Sequence, residues 1–354
     1  MHGARRFLAH ESRSKYTIFL RKWQGYSKKT AYFWLIIFFF RIFAPVFFSE
    51  KNHLYLYITR YAREKWVNMA WYLHEKELGL NNKEQDIFMD KKIKALFFDI
   101  DGTLVSFKSH RIPQSTVDAL EQAKENGVEV YISTGRPKQI INNLGQIEHL
   151  IDGYITTNGA RCFVQDTVVS QHAILPSDVK KIIDAADRDN YPAIVVSESR
   201  FAIHHYTDEV YEIFCKGLGV DSSIFITDVN DLGEEPILQV TPFCTVEQEA
   251  LLMPTLENCT SGRWHPAFTD ITARGADKGK GLHAMADYLG LNIEETMAFG
   301  DGGNDISIIK EAGVGVAMGN AGEDLKQVAD FITTHVDEDG VKNALIKYGV
   351  IAEN

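Results

Sequence analysis

The sequence predicts an open, mostly parallel α/β domain interrupted by an α+β insert. Short apolar runs alternate with amphipathic segments along 89–174 and again along 266–354. Four of those runs end in acidic, hydroxyl or amide residues followed by glycine, as ligand-binding loops do at the carboxyl ends of parallel strands. Between them, 175–265 changes rhythm, and two of its strands stand close together, as in an antiparallel pair.

The elements follow in order. Residues 93–98 (IKALFF) form an apolar run that reads as a buried parallel strand ending at Asp99. Val117, Leu120 and Ala123 lie at helical spacing, so 113–126 reads as a helix stopped by Gly127. A strand at 128–133, a helix at 137–149 and a strand at 154–156 come next. In the insert, helices are expected at 177–189, 208–218 and 246–256, and strands at 193–197, 201–205, 237–242 and 259–264. The second half reads as strand 296–299, helix 305–311, strand 314–318, helix 324–329, strand 331–334 and helix 340–348. An insert at this position is placed to act as a lid over the strand ends.

The chain has 354 residues, 48 acidic and 37 basic, with a net charge of −11 and 45% hydrophobic residues. That is enough for two domains and a sizeable core, and it excludes a disordered chain. The average hides a break. Residues 1–88 carry a net +8, whereas 89–354 carry −19. The first segment holds 21 of the 40 aromatics but only 3 of the 26 glycines. Its apolar stretch 31–48 is 18 residues long and is interrupted by Arg41 and Pro45. A spanning helix needs about 20 apolar residues, so insertion is marginal. The expected reading is a mis-assigned start with Met89 as the true one; a membrane anchor through 31–48 is the alternative. The acidic remainder argues against nucleic acid as a partner, but not against a small phosphorylated metabolite bound by local amides and a metal. Cys162, Cys215, Cys244 and Cys259 form no CxxC pair, so the chain reads as cytoplasmic with buried, reduced thiols.

Four motifs carry chemistry. Asp99 and Asp101 sit at i and i+2 on a turn made by Gly102 and Thr103, and two close carboxylates call for a hard divalent cation. A lone DxD is most often a solvated turn; the apolar run before it and the glycine after it argue otherwise. Thr134 and Gly135 end the next strand, where a hydroxyl and backbone amides can hold phosphate oxygens. Lys278 opens a helix and can neutralise a phosphate. Asp301, Asn304 and Asp305 lie on the glycine-rich loop GDGGND, a donor set that suits Mg²⁺.

The order DIDGTL, STGRP, lysine, GDGGND resembles the haloacid dehalogenase (HAD) superfamily. The insert between the second and third motifs resembles its type IIB, Cof-like branch. More narrowly, DGYITTNGA, GRWHPAFTDITA and FGDGGNDISIIKEAGVGVAMG are similar to the Bacteroides-type sugar-phosphate phosphatases. The resemblance covers 89–354. It implies a Rossmann-like core in two parts (89–174 and 266–354) with an inserted C2-type cap at 175–265, and 1–88 as an unrelated extension.

The resemblance also implies roles. Asp99 is the nucleophile, Asp101 the acid and base, and Mg²⁺ bridges Asp99, the Asp101 main chain and Asp301, with Asp305 supporting a metal-bound water. Thr134, Gly135, Lys278 and Asn304 hold the phosphoryl oxygens. Substrate choice is expected from Arg136, Asn158 and Gly159 on the core side and from Arg263, Trp264 and His265 where the cap returns. The implied activity is a Mg²⁺-dependent phosphatase of hexose or related sugar phosphates. The alternatives are another small phosphomonoester, such as flavin mononucleotide or pyridoxal phosphate, or a phosphomutase.

Overall fold

The computed structural model describes residues 92–353 apart from 218 and 227, and leaves out the side chains of Ile226 and Trp264. The expectations for 1–88, including the 31–48 stretch, lie outside the described residues. No helix among the described residues is long and apolar enough to cross a membrane.

Strand β1 (Ala95–Phe98) is buried throughout. Its side chains alternate between two apolar clusters, Leu96 and Phe98 on one face and Ala95 and Phe97 on the other. A strand covered on both faces reads as a continuous apolar run for this reason. Helix α1 (Gln114–Glu125) starts at Pro113 and buries Val117, Leu120 and Ala123. Gly127 follows at φ +78°. Strands β2 (Glu129–Ser133) and β3 (Gly153–Thr156) pair in parallel.

The helix expected over 137–149 is absent. Only two short turns form there, Lys138–Ile140 and Glu148–Leu150. Asn142, Asn143 and Gly145 weaken a helix, and the apolar side chains have different destinations. Leu144, Ile147 and Leu150 enter the core cluster, while Ile140 enters a cluster of the insert.

An antiparallel hairpin, β4 (Arg161–Val164) and β5 (Thr167–Gln171), was not anticipated and extends the sheet edge.

The insert begins with α2 (Pro176–Asp189), which has proline in its first turn and left-handed Asn190 at its end. Strands β6 (Ala193–Ser197) and β7 (Phe201–His204) form the expected antiparallel pair. Where one helix was expected over 208–218, a single α-turn (Asp208–Val210) passes into a π-helical turn (Tyr211–Lys216). Strand β8 (Phe225–Ile226), strand β9 (Ile237–Pro242), helix α3 (Val246–Leu252), strand β10 (Cys259–His265) and strand β11 (Phe268–Ala273) complete it. The sheet order is β10-β11-β9-β6-β7-β8. The expected boundary at 265 falls inside the β10–β11 hairpin, so the sheet runs on to Ala273.

The chain then re-enters the core through α4 (Lys278–Leu289), β12 (Thr296–Gly300), α5 (Ile306–Glu311), β13 (Val314–Ala317), α6 (Glu323–Lys326), β14 (Phe331–Ile332) and α7 (Gly340–Lys347). The core sheet has eight strands in the order β14-β13-β12-β1-β2-β3-β4-β5, parallel except for the β4–β5 edge. β1 lies between β2 and β12, so the loops after these three strands converge. All four cysteines are buried and free.

Candidate active site

The turn after β1 sets the first group. Leu104 and Val105 donate their N–H groups to the Ile100 carbonyl, and Gly102 donates to Val105. Gly102 sits at φ +89°, and a Cβ there would lie 2.2 Å from Asp301 Oδ2. Only glycine lets this turn meet the loop after β12.

Asp99 is 7% exposed. Lys278, the first residue of α4, is fully buried and reaches Asp99 Oδ1 at 2.7 Å and Asp305 Oδ1 at 2.6 Å. Burying an ammonium costs several kcal/mol unless it is paired, and two carboxylates pair it here. Asp305 Oδ2 accepts from the N–H groups of Asp301 and Gly302, so both of its oxygens are engaged in bracing this loop. Asp301 accepts from the Thr103 hydroxyl and the Asn320 amide, each at 3.4 Å. Asn320 also donates to the Gly102 carbonyl at 2.8 Å and accepts from the Val336 N–H.

Oxygens of Asp99, Asp301 and Asp305 lie within 4.8 Å of one another. Burial pushes the Asp99 carboxyl up to about 8, against the pull of Lys278 and with help from the charges of Asp305 and Asp301. Burial and the charge of Asp305 likewise push Asp301 up to about 7. Burial disfavours the Lys278 ammonium, but Asp305 and Asp99 outweigh it and hold the group above the ordinary lysine range. Three carboxylates thus lie around one ammonium, which pairs with two of them. Excess negative charge on an all-oxygen donor set fits a hard divalent cation.

Asp101 stands apart from this cluster. Arg136 grips its carboxylate with both prongs, Nε to Oδ2 at 2.7 Å and Nη2 to Oδ1 at 2.9 Å. Arg136 Nη1 also donates to the Ile140 carbonyl at 3.3 Å, and its N–H donates to the Thr134 hydroxyl. The arginine expected to meet substrate therefore holds Asp101 in this structure.

A third group forms beside it. Thr134 and Gly135 leave β2, Asn158 sits in a left-handed turn at φ +52°, and its Oδ1 accepts from Asn304 Nδ2 at 3.1 Å. A Cβ on Gly135 would lie 3.1 Å from that same oxygen. Gly159, at φ +90°, packs directly on the backbone of Asp277, where a Cβ would clash.

The cap candidates Arg263 and His265 are engaged within the cap itself. Arg263 pairs with Glu249 at 2.7 Å and donates to the carbonyls of Cys244 and Pro266. His265 Nδ1 accepts from the Ala267 N–H, and its ring stacks on Phe268. Trp264 lies in β10, and its side chain is outside the described residues.

Sequence reasoning missed Asn320. Its one available signal was position: it follows β13, another parallel strand whose end opens on the same crevice.

An open parallel sheet that gathers carboxylates, a buried lysine and a glycine-rich loop at its strand ends, with an antiparallel insert, has the build of a phosphate-ester hydrolase. Residues 96–345 match the family model of haloacid dehalogenase-like hydrolases, and the chain belongs to that family, among its Cof-type phosphatases. It is 46% identical to the HAD subclass IIB sugar phosphatase BT4131, with a TM-score of 0.68 over 73% of this chain and 100% of that one. It is 32% identical to YkrA of Bacillus subtilis over 74% of this chain and all of the relative. It is also 29% identical to the Bacillus subtilis 5-amino-6-(5-phospho-D-ribitylamino)uracil phosphatase YitU, over 73% of this chain and 99% of the relative.

Proposed function

We propose that this chain hydrolyses phosphomonoesters of hexoses or related sugars, with Mg²⁺ as its metal and an aspartyl-phosphate as its intermediate. The observation that carries the reading is the buried Asp99–Lys278 pair among Asp301 and Asp305, close in sequence to the forked Asp101–Arg136 pair.

In the first half-reaction an Asp99 oxygen bonds to phosphorus as the bond from phosphorus to the ester oxygen breaks. Asp101, once free of the Arg136 fork and protonated, gives its proton to the departing alkoxide. In the second half-reaction Asp101 takes a proton from water as the water oxygen bonds to phosphorus. The bond between phosphorus and Asp99 then breaks, which releases inorganic phosphate and restores both carboxyl groups. Lys278 aims Asp99, and Arg136 positions Asp101. Thr134, Gly135, Lys278 and Asn304 orient the phosphoryl oxygens. Asp99, Asp301 and the Asp101 main chain would hold Mg²⁺, with Asp305 behind them; the bound metal supplies neutralisation of charge on the transferring group.

Similarity to a sugar phosphatase supports hexose phosphates as the substrate class. The relative named for a phosphorylated ribityl compound favours, as a second reading, an ester such as flavin mononucleotide.

The test is phosphate release from a panel holding hexose phosphates, flavin mononucleotide and pyridoxal phosphate, with Mg²⁺ and with EDTA. Fastest turnover on hexose phosphates, abolished by EDTA, is expected. A preference for flavin mononucleotide would replace the sugar reading with the second one. Asp99→Asn should lower kcat by about 10⁴-fold; activity that survived it would end the covalent mechanism.

A further inference from the structure

The insert's sheet has two unlike faces. Helices α2 and α3 cover one, where Ala193, Val195, Val240 and Ile271 pack with Ile182 and Leu252. The other carries Ile194, Val196, Phe201 and Phe268, and Ile140 of the core loop enters that cluster. This second face therefore looks toward the core.

Strand register extends it. Thr241 pairs with Ile194, and Gln239 with Val196. Directly paired residues share a face, as do residues two apart on one strand. Thr272 pairs with Gln239, so Asp270 stands on that face as well. The core-facing side is thus apolar on β6, β7 and at Phe268, and polar at Gln239, Thr241, Asp270 and Thr272 of β9 and β11.

Sheet positions this buried are ordinarily aliphatic. Gln239, Thr241 and Asp270 are 4%, 1% and 7% exposed. They form one network: Gln239 Nε2 donates to Asp270 Oδ1 at 2.8 Å and to Thr241 Oγ1 at 2.9 Å, and the Thr241 hydroxyl donates to Asp270 Oδ1 at 2.7 Å. Asp270 Oδ1 thus accepts from the amide nitrogen of Gln239. That turns the amide carbonyl away from the network. Gln239 Oε1 is buried and has no hydrogen-bond partner among the described residues. Leaving such an atom unmet costs about 1–3 kcal/mol, a cost that a bound donor would remove.

The patch is tied to the catalytic loops through Ile140. Ile140, seated on this face, accepts from Arg136, which grips Asp101. The alkoxide that Asp101 protonates belongs to the part of the substrate lying beyond the phosphoryl group, toward the cap.

We infer that Gln239, Thr241 and Asp270 recognise the hydroxyl groups of the leaving alcohol, with the Gln239 carbonyl accepting from one of them. The inference rests on the sugar-phosphate reading and names the residues that select polyhydroxylated esters. A site built to hydrogen-bond substrate hydroxyls discriminates strongly against analogues that lack them.

The test compares kcat/KM for a hexose 6-phosphate and for p-nitrophenyl phosphate, whose leaving group has no further hydroxyl. It uses the full chain with Mg²⁺ and the variants Gln239→Leu and Asp270→Asn. Each variant should lower kcat/KM for the hexose phosphate by at least tenfold more than for p-nitrophenyl phosphate. Thermal unfolding should show both variants folded. Equal losses on both esters would assign the cluster a structural role and overturn the inference, as would no loss on either. If the unmodified protein turned over p-nitrophenyl phosphate but no hexose phosphate, the sugar reading itself would fall, and that failure shows before any variant is made.

Discussion

In the core, Lys278 and Asp305 are fully buried and their charges are met inside the protein, the ammonium by two carboxylates and Asp305 by that ammonium and two backbone N–H groups. In the cap sheet, Gln239 is almost as buried, yet its carbonyl is unmet among the described residues. The core holds its polar groups in place before any ligand arrives, as a phosphoryl-transfer site requires. The cap keeps hydrogen-bonding capacity in reserve for whatever alcohol the ester carries. On the proposed reading the chemistry lies in one sheet and the selection in the other.

The largest effect should come from breaking the core arrangement. Lys278→Met leaves Asp99 and Asp305 buried without their counter-charge, at a cost of about 3–5 kcal/mol. The thermal midpoint, followed by circular dichroism, should fall by about 10 °C, and turnover should be lost. A midpoint within a degree of the unmodified protein would show that the ammonium is not the counter-charge.

A smaller effect follows from the excess of carboxylates over cations. With folded-state values near 8 for Asp99 and near 7 for Asp301, the metal-free native protein holds protons that the unfolded chain has already lost. Its stability should therefore decline as pH rises from about 4 to about 8. A divalent cation favours the ionised carboxylates and opposes that decline. Mg²⁺ should raise the midpoint by several degrees more at pH 8 than at pH 5, measured against EDTA. Parallel pH slopes with and without metal would contradict the shared-cation arrangement.

The smallest effect sharpens the contrast within the cap. Arg263→Met removes the pair with Glu249 and the bonds to two carbonyls. It should cost about 1–2 kcal/mol of stability and leave the ranking of sugar and aromatic esters as it was. A change of ranking would move selection from the β9–β11 face to the end of the hairpin.

The sequence by itself determined the parallel core and the residues at its strand ends. An apolar run and the turn after it are contiguous, so Asp99, Gly102, Thr134 and Asp301 announce themselves within a few positions of the strand that carries them. The alternation of β9 is legible too, since Leu238 and Val240 alternate with Gln239 and Thr241. What tertiary structure alone decided is which partners those residues find. Arg136 meets Asp101 across 35 positions, Asn320 meets Gly102 across 218, and Gln239 meets Asp270 across 31. The stretch 137–149 shows the same limit from the other side. Its apolar spacing reads as helical, yet Ile140 is drawn to the cap and Leu144 to the core. Periodicity states which residues leave water. The surface that receives them is set by strand register and by the return of the chain, and neither is encoded in local spacing.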